Sequence, residues 1–414
     1  MIERPRGTRD FGPEQMEVRR KIENILRDKT KNFGYQEVLT PTFEHTELFL
    51  EKSGPSIEEE IYSFKDKGGR DIALRPEFTA SVMRMYAESL KAESKPLKLF
   101  YFGPAFRYER PQSGRYREFW HFGTELIGAD TARADAENIA LAYRCLKETG
   151  LDDITMRISH LQILEDYLDD KGFSRDEREE IYHMIDKEET EKALDKFDLS
   201  EDFKELIESP FEDIPDLIGE TSSYKYLKDV TDILSLYGVE KEDYEIDLKT
   251  VRGLDYYTGV VFEIEAERLG AEKQICGGGD YNLGDIFGTD ISSKGFAIGF
   301  DRLVLALDKE EISFEKSRNG CYIVPIGEEV IPYAYDILNE LREDDIKTDI
   351  DLKGRSIGKA LGYADKGDFR YSILVGEDEL EEGEVTLKDM TSGEQESIKR
   401  EELLGAVGTD ETES

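Results

Sequence analysis

The residue types best suited to chemistry fall in one stretch, 99–128, which reads LFYFGPAFRYERPQSGRYREFWHFGTELIG. Two β-favouring runs flank the polar loop Gln112-Ser113-Gly114-Arg115, the pattern of a long antiparallel hairpin. Side chains alternate faces along a strand, so Ala105, Arg107 and Glu109 share one face of the first run. On the second, Phe119, His121, Gly123 and Glu125 share a face, while Trp120, Phe122, Thr124 and Leu126 take the other. One face of the hairpin is therefore largely apolar and suited to packing on a helix. The opposite face carries Arg107, Glu109, His121 and Glu125, with Gly123 leaving room above the sheet. A guanidinium offers an anion charge and a planar fork of donors, and carboxylates accept from polar groups, so such a face can bind a charged ligand. A solvated sheet face with cross-strand ion pairs has the same composition, and the hairpin alone leaves both readings open.

The flanking elements must hold that face. A helix follows Pro13, with Val18, Ile22, Ile25, Leu26, Lys29 and Phe33 at helical spacing and a stop at Gly34. Tyr35 to Thr40 is a β run closed by Pro41. Residues 71–86 read as a strand, a turn at Pro76 and a helix, which puts Glu77 and Thr79 where capping groups belong. Ala136, Ile139, Ala140, Tyr143 and Leu146 mark an amphipathic helix ending near Gly150, and a strand follows around 154–159. From about 162 to 240 the texture is acidic and helical, with breaks near Gly172, Pro210, Pro215 and Gly219, the pattern of a helical insertion. His160 and His183 there have no ligand spacing. Strands resume at 244–266. The glycine triplet 277–279 fits a tight hairpin turn, and no GxGxxG dinucleotide fingerprint is present. Gly295 to Arg302 runs into an apolar helix. Near Arg318-Asn319-Gly320 the pattern changes to αβ alternation: an apolar strand Cys321 to Ile326, a helix with Val330, Ala334, Ile337, Leu338 and Leu341 on one face, a short strand near 346–352, a helix from about 355 and a strand at 371–375. This predicts a small mixed sheet covered by helices. The tail after about 406 is expected to be disordered.

The 414 residues are too many for one ordinary core, so two or three domains are expected. No apolar run approaches the ~20 residues of a membrane span, and MIERPRGTRDFG is not of signal-peptide type. Cys145, Cys276 and Cys321 form no CxxC pair, which suits a reducing compartment and argues against structural zinc. These features predict a soluble cytoplasmic protein. The formal charge of −39 would ordinarily disfavour a nucleic-acid partner, because lysine and arginine drive phosphate binding. With 38% hydrophobic residues and clear periodicity the chain is not of disordered type. Concentrated salt, which screens carboxylate repulsion over a few ångströms, is the other cause of such acidity and the one favoured here.

Several motifs together carry a family resemblance. Phe106-Arg107-Tyr108-Glu109, followed by an arginine-bearing loop and a second strand, resembles motif 2 of the class II aminoacyl-tRNA synthetases. The fuller run Arg107 to Gln112 and Gly114 to Phe119 is similar to the histidyl-tRNA synthetase version. Arg6-Gly7-Thr8-Arg9-Asp10-Phe11 resembles the opening segment of that family, Tyr35 to Pro41 its motif 1, and Val251 to Gly259 and ICGGGDYNLGDIFG (275–288) its two signatures. Gly295 to Arg302 is similar to motif 3, with Asp301 where glutamate is usual. The run Lys353 to Leu361, through Ala364-Asp365-Lys366, resembles the family's anticodon-binding domain.

The resemblance implies an α+β fold: a class II antiparallel-sheet catalytic domain over 1–320 with a helical insertion at about 162–240, an α/β anticodon-binding domain over 321–406 and a tail at 407–414. It implies ATP-dependent attachment of histidine to its tRNA through a histidyl-adenylate, with ATP as substrate, Mg2+, histidine tRNA and L-histidine as partners, a homodimer, and neither membrane nor DNA. By position, Arg252 and Arg107 are the catalytic arginines at the α-phosphate, with Arg107 also at the substrate carboxylate. Arg115 and Arg302 meet the outer phosphates, and Glu109 the adenine. Glu77 and Thr79 meet the amino end of histidine, Glu125 and Tyr257 its ring nitrogens, and Tyr256 and Tyr281 line the pocket. His121 stands where many members have glutamine, serving the amino acid and α-phosphate, and could offer a hydrogen bond or a positive charge. Lys353, Arg355, Lys359 and Lys366 are the expected tRNA contacts. A regulatory subunit of ATP phosphoribosyltransferase, a catalytically silent relative, is the alternative; such proteins lack the C-terminal domain and lose signature residues, whereas both that domain and Arg252 are present here.

Overall fold

A computed structural model describes residues 2–53, 55–112, 114–187, 189–251, 257–288, 291–314 and 317–408. The chain divides into two compact units, Met1–Ser313 and Phe314–Ser414.

The first unit is built on an eight-stranded sheet. In spatial order its strands are Gln36–Glu37, Leu97–Phe106, Glu118–Ile127, Ser293–Gly299, Gln274–Tyr281, Tyr257–Ala266, Ile154–His160 and Tyr244–Ile246. The two outermost pairs are parallel and the six central strands run antiparallel. The hairpin register sets Ala105 opposite Phe119, Gly103 opposite His121, Tyr101 opposite Gly123 and Leu99 opposite Glu125. The expected parity of the second strand therefore holds, and Trp120, Phe122 and Thr124 face the other way. That rear face packs as anticipated: Phe102 meets Trp120 and Phe300 at ring-centroid distances of 4.9 Å each, and Phe100 stacks on Phe122. Helix Pro13–Asn32 buries Ile22 and Leu26 and packs on helix Ala132–Glu148.

Three expectations need correction. The first strand of the hairpin ends at Phe106, so Arg107 and Glu109 sit beyond it; Glu109 N donates to Arg107 O at 2.9 Å, a tight turn rather than a continued strand. The run from Tyr35 to Thr40 is a strand only over Gln36–Glu37, because Pro41 and its neighbours leave the sheet. The glycine triplet is not a turn: it occupies the middle of Gln274–Tyr281, in the centre of the sheet. At Gly278 an added Cβ would lie 2.6 Å from Phe296 Cβ and 2.4 Å from Gly295 O, so close approach of the adjacent strand accounts for it.

A small antiparallel sheet (Phe43–His45, Asp71–Leu74, Ser63–Lys65) flanks the main one. Residues 161–236 form helices Leu161–Asp170, Arg175–Asp186, Thr190–Phe197, Glu201–Glu208, Ile214–Ile218 and Ser222–Leu236. Ser174 and Glu177 make a reciprocal capping box there, and Ser222–Leu236 packs against Ala132–Glu148.

The second unit has a five-stranded sheet in the order Thr348–Ile350, Cys321–Pro325, Tyr371–Val375, Glu384–Asp389, Gln395–Lys399. The first three strands are parallel and the last two antiparallel. Alternation sorts its core: Cys321 and Ile323 pack with helices Ile331–Glu343 and Arg400–Val407, while Tyr322 and Val324 pack with Ile357–Lys366. The strands after 375 and the last helix were not anticipated, since charged residues fill their exposed faces. Residues 409–414, most of the expected tail, lie outside the described residues.

Candidate active site

Glu125 anchors the pocket face of the central sheet. It is 1% exposed, and its carboxylate accepts from Tyr281 Oη at 2.5 Å and Tyr101 Oη at 3.4 Å. Tyr281 is the register partner of Tyr257, and both pack with Phe78, Tyr101 and Phe119 in one apolar cluster. The room left by Gly123 is filled by Tyr101: a Cβ at Gly123 would stand 2.4 Å from that hydroxyl. Tyr101 escaped the sequence reading, although parity with Gly103 and Ala105 puts it on this face. A buried carboxylate ringed by hydroxyls and aromatic carbons suits a small ligand that can donate a hydrogen bond.

Glu77 lies one residue before the cap of helix Thr79–Met85, and its two oxygens accept from Thr79 N at 2.7 Å and Ala80 N at 3.1 Å. Capping, the structural alternative weighed for this pair, is therefore present in the fold.

A second group of side chains is cationic. Arg107 Nε donates to Pro76 O at 3.1 Å, and its guanidinium lies 5.4 Å from the Phe119 ring centre. Arg302, in helix Phe300–Lys309, donates to Gly114 O at 3.2 Å and Gln274 O at 2.8 Å, which ties the hairpin loop to the central sheet. Arg115 pairs with Glu109 at 3.5 Å. Arg75, which the sequence reading passed over, is 1% exposed; it donates to Pro104 O and Thr40 O and stacks on Phe78 at 3.9 Å. Burial pushes its pKa down to about 10.

His121 lies beside these cations, within the sheet. Its Nδ1 is buried without a hydrogen-bond partner, and its ring meets Phe119 edge-on. Although part of the residue is accessible, burial of the ring, followed by the charges of Arg107, Arg302 and Arg75, pushes its pKa down to about 3. The imidazole is neutral near pH 7, so of the two roles expected for it the positive charge is removed and the hydrogen bond remains.

Asp301, the departure in the third motif, is a structural clasp. It accepts from Arg19 at 2.7 Å, Arg9 at 2.8 Å and Trp120 N at 2.8 Å, and thereby fixes the start of the Arg302 helix against the hairpin. Arg252 and Tyr256 lie outside the described residues.

In the second unit Lys353, Lys359 and Lys366 are exposed on or beside helix Ile357–Lys366. Arg355 differs: it is ion-paired to Asp351, donates to Tyr322 Oη at 3.2 Å and lies over the Tyr363 ring at 4.2 Å. Its charge is already engaged within the fold.

An antiparallel-centred sheet with the buried acceptor Glu125, and with Arg107 and Arg302 held on its adjoining loop and helix, has the architecture of a class II aminoacyl-tRNA synthetase catalytic domain. The family model described as "Histidyl-tRNA synthetase" matches residues 7–303, and that described as "Anticodon binding domain" matches 320–409. The chain is similar to a histidine–tRNA ligase of Archaeoglobus fulgidus, 43% identical over 98% of this chain and 99% of the relative. Among solved structures, apo histidyl-tRNA synthetase of S. aureus is 34% identical with a TM-score of 0.77, covering 98% of this chain and all of the other. A Bacillus halodurans protein described as an ATP phosphoribosyltransferase regulatory subunit/histidyl-tRNA synthetase is 26% identical, with a TM-score of 0.78 over 91% of this chain and 98% of the other. The chain belongs to the histidyl-tRNA synthetase family.

Proposed function

We propose that this chain is a histidine–tRNA ligase: it joins histidine to ATP as histidyl-adenylate with release of pyrophosphate, then transfers the acyl group to the terminal adenosine of histidine tRNA. The observation that carries the reading is the buried carboxylate of Glu125 under the hydroxyls of Tyr281 and Tyr101, on the same sheet whose adjoining loop and helix bring Arg107 and Arg302 to Pro76, Gly114 and Gln274. Glu125 accepts from one imidazole nitrogen of the substrate and Tyr257 serves the other, with Tyr281 and Tyr256 lining the ring and Glu77 and Thr79 at its amino end. A site that pairs both ring nitrogens rejects side chains that leave those groups unpaired, so discrimination on the order of 10⁴ needs no editing. Arg107 meets the substrate carboxylate and α-phosphate, Arg252 the α-phosphate, Arg115 and Arg302 the outer phosphates, and Glu109 the adenine. Charge gathers on phosphoryl oxygens in the transition state, where cations already in position do most to lower the barrier.

Mg2+ belongs with this reading as a companion of the ATP phosphates. Among the described residues no group of three or more His, Cys, Asp or Glu is arranged to hold a metal ion, so no protein ligand is assigned to it. The second unit is assigned to the tRNA anticodon, through Lys353, Lys359 and Lys366 more than through the engaged Arg355. A homodimer is assigned to the first unit: Leu39, Phe43 and Phe64 are 79%, 57% and 50% exposed around the motif 1 segment, an apolar face that suits a second copy. No helix among the described residues is long and apolar enough to cross a membrane, in keeping with a cytoplasmic enzyme. The −39 charge supports function in concentrated salt. Loss of activity below about molar salt supports that part of the reading, and full activity in dilute buffer removes it.

ATP–pyrophosphate exchange with each of the twenty amino acids tests the whole. Exchange driven by histidine alone is the expected result; exchange with another amino acid, or with none, overturns the reading and in the second case favours a silent regulatory subunit.

A further inference from the structure

Directly behind the pocket, on the helix-covered face of the sheet, lies a buried ion network that no part of the reaction uses. Lys294 is 0% exposed, and its Nζ pairs with Asp135 Oδ1 at 2.8 Å and Asp280 Oδ1 at 2.7 Å. Asp135 comes from helix Ala132–Glu148, and its other oxygen accepts from Tyr226 Oη at 2.7 Å. Tyr226 belongs to helix Ser222–Leu236 of the insertion, and the ring of His160 meets it edge-on at 5.6 Å. Removing one lysine and two carboxylates from water is costly, and ion pairing returns only part of that cost. A buried ion pair is weak evidence for stability, so this network on the rear of the sheet calls for another role.

Strand register supplies that role. Asp280 and Lys294 are directly opposed partners on adjacent strands, and each immediately precedes a pocket-face residue, Tyr281 and Gly295. Because the side-chain period is two, a slip of one residue would turn Tyr281 to the rear and bring Asp280 into the pocket. The same carboxylate also shapes the strand on its other side. Between Gly279 and Tyr281 the partner strand runs from Val261 to Tyr257, so three residues bulge out opposite one. Asp280 Oδ2 accepts from Val260 N at 3.2 Å inside that bulge, and a Cβ at Gly259 would fall 2.4 Å from the same oxygen. Asn138 of the underlying helix meanwhile donates to Gly295 O at 3.3 Å, beside Glu125.

We propose that Lys294, clamped between Asp280 and Asp135, is a positioning residue for the amino-acid end of the pocket: through Asp280 it sets the bulge and register that present Tyr257 and Tyr281 to the ligand, and through Asp135 and Tyr226 it ties that register to the helical insertion. The inference rests on the histidine-site reading above. It makes the insertion a buttress of amino-acid recognition.

The test uses the full-length chain in histidine-dependent ATP–pyrophosphate exchange, with Lys294→Met, Lys294→Arg and Tyr226→Phe measured beside the unaltered protein. Lys294→Met should raise the KM for histidine about tenfold or more while the KM for ATP stays within about threefold. Lys294→Arg, which retains the charge, should recover much of that loss, and Tyr226→Phe should raise the histidine KM by about threefold to tenfold. Proportional rises in both KM values mark a general structural role and overturn the proposal, as does an unchanged histidine KM. Should Lys294→Met fail to fold, Tyr226→Phe decides, since it deletes one hydroxyl, and an unchanged histidine KM there overturns the proposal. Absence of histidine-dependent exchange in the unaltered protein is a separate result: it removes the functional reading itself.

Discussion

At one end of the pocket Glu125 lies buried with the hydroxyls of Tyr281 and Tyr101 already upon it, and behind it the sheet carries a lysine between two aspartates. At the other end Arg107 and Arg302 are part-exposed and donate to backbone carbonyls of Pro76, Gly114 and Gln274. Carbonyls orient a guanidinium, and the basicity of His121 beside them is lowered first by burial and then by the charges of Arg107, Arg302 and Arg75. On the proposed function, the amino-acid end is organised by buried, paired polar groups and the phosphate end by guanidinium groups held on backbone carbonyls. Selection needs a geometry that does not give; catalysis here needs a potential that does not fade.

Substitutions can break that contrast. Removing the Arg107 guanidinium should have the largest effect: Arg107→Ala should lower the exchange turnover by about 10²–10³-fold, the loss expected for one preorganised electrostatic donor. Near-normal turnover would take Arg107 out of the phosphate end. Glu125→Ala comes next. It deletes the acceptor of two tyrosine hydroxyls and should raise the KM for histidine by about 10–100-fold, with that for ATP within about threefold. If ATP binding fails instead, the two ends are not separate.

Two further variants sharpen the comparison through pH. Burial, and then the charge of Asp280, pushes the Asp135 carboxyl above the usual range, so the folded state binds the extra proton. Its contribution to stability therefore declines as pH rises from about 4 towards that raised value, and Asp135→Asn should flatten this slope in melting temperatures measured from pH 4.5 to 8.5. His121 has the opposite sign. Its folded pKa of about 3 lies below the unfolded value, so the folded state is penalised as pH falls from about 6.5 towards 3. His121→Gln should soften that acid loss while changing exchange at pH 7.5 by less than about threefold, the smallest effect of the four. A large loss at pH 7.5 would mean that the imidazole takes part in the reaction.

Much of this was legible in the order of residues, where period and punctuation carry the information. The alternation Phe119 to Leu126 gave the pocket face of its strand correctly, because a strand with one apolar face admits one orientation. The same alternation put Arg107 on the face of Phe119, where its N still donates to Arg117 O at 3.1 Å, but it ran too far at Glu109, whose N turns back to Arg107 O. Gly277 to Gly279 read as a turn because glycine marks both turns and close-packed strands, and only the neighbouring Phe296 distinguishes them. Glu77 could be placed at a helix entry from its spacing alone. Lys294 could not be picked out at all: its partner Asp135 lies 159 residues away, and a lone lysine in a strand reads as a solvent-facing residue. Arg355 likewise reads as a free cation until Asp351 is seen beside it.

The position of strand Ser293–Gly299 also bears on how the chain is made. It lies between Glu118–Ile127 and Gln274–Tyr281, so it joins an early half of the sheet to a late one. On the ribosome each half must wait with an unpaired edge until about residue 300 has been synthesised, and Arg19 cannot meet Asp301, 282 residues downstream, any sooner. Open strand edges are templates for association with other chains. Nascent copies carrying the same hairpin edge are the nearest candidates for such association until the closing strand arrives.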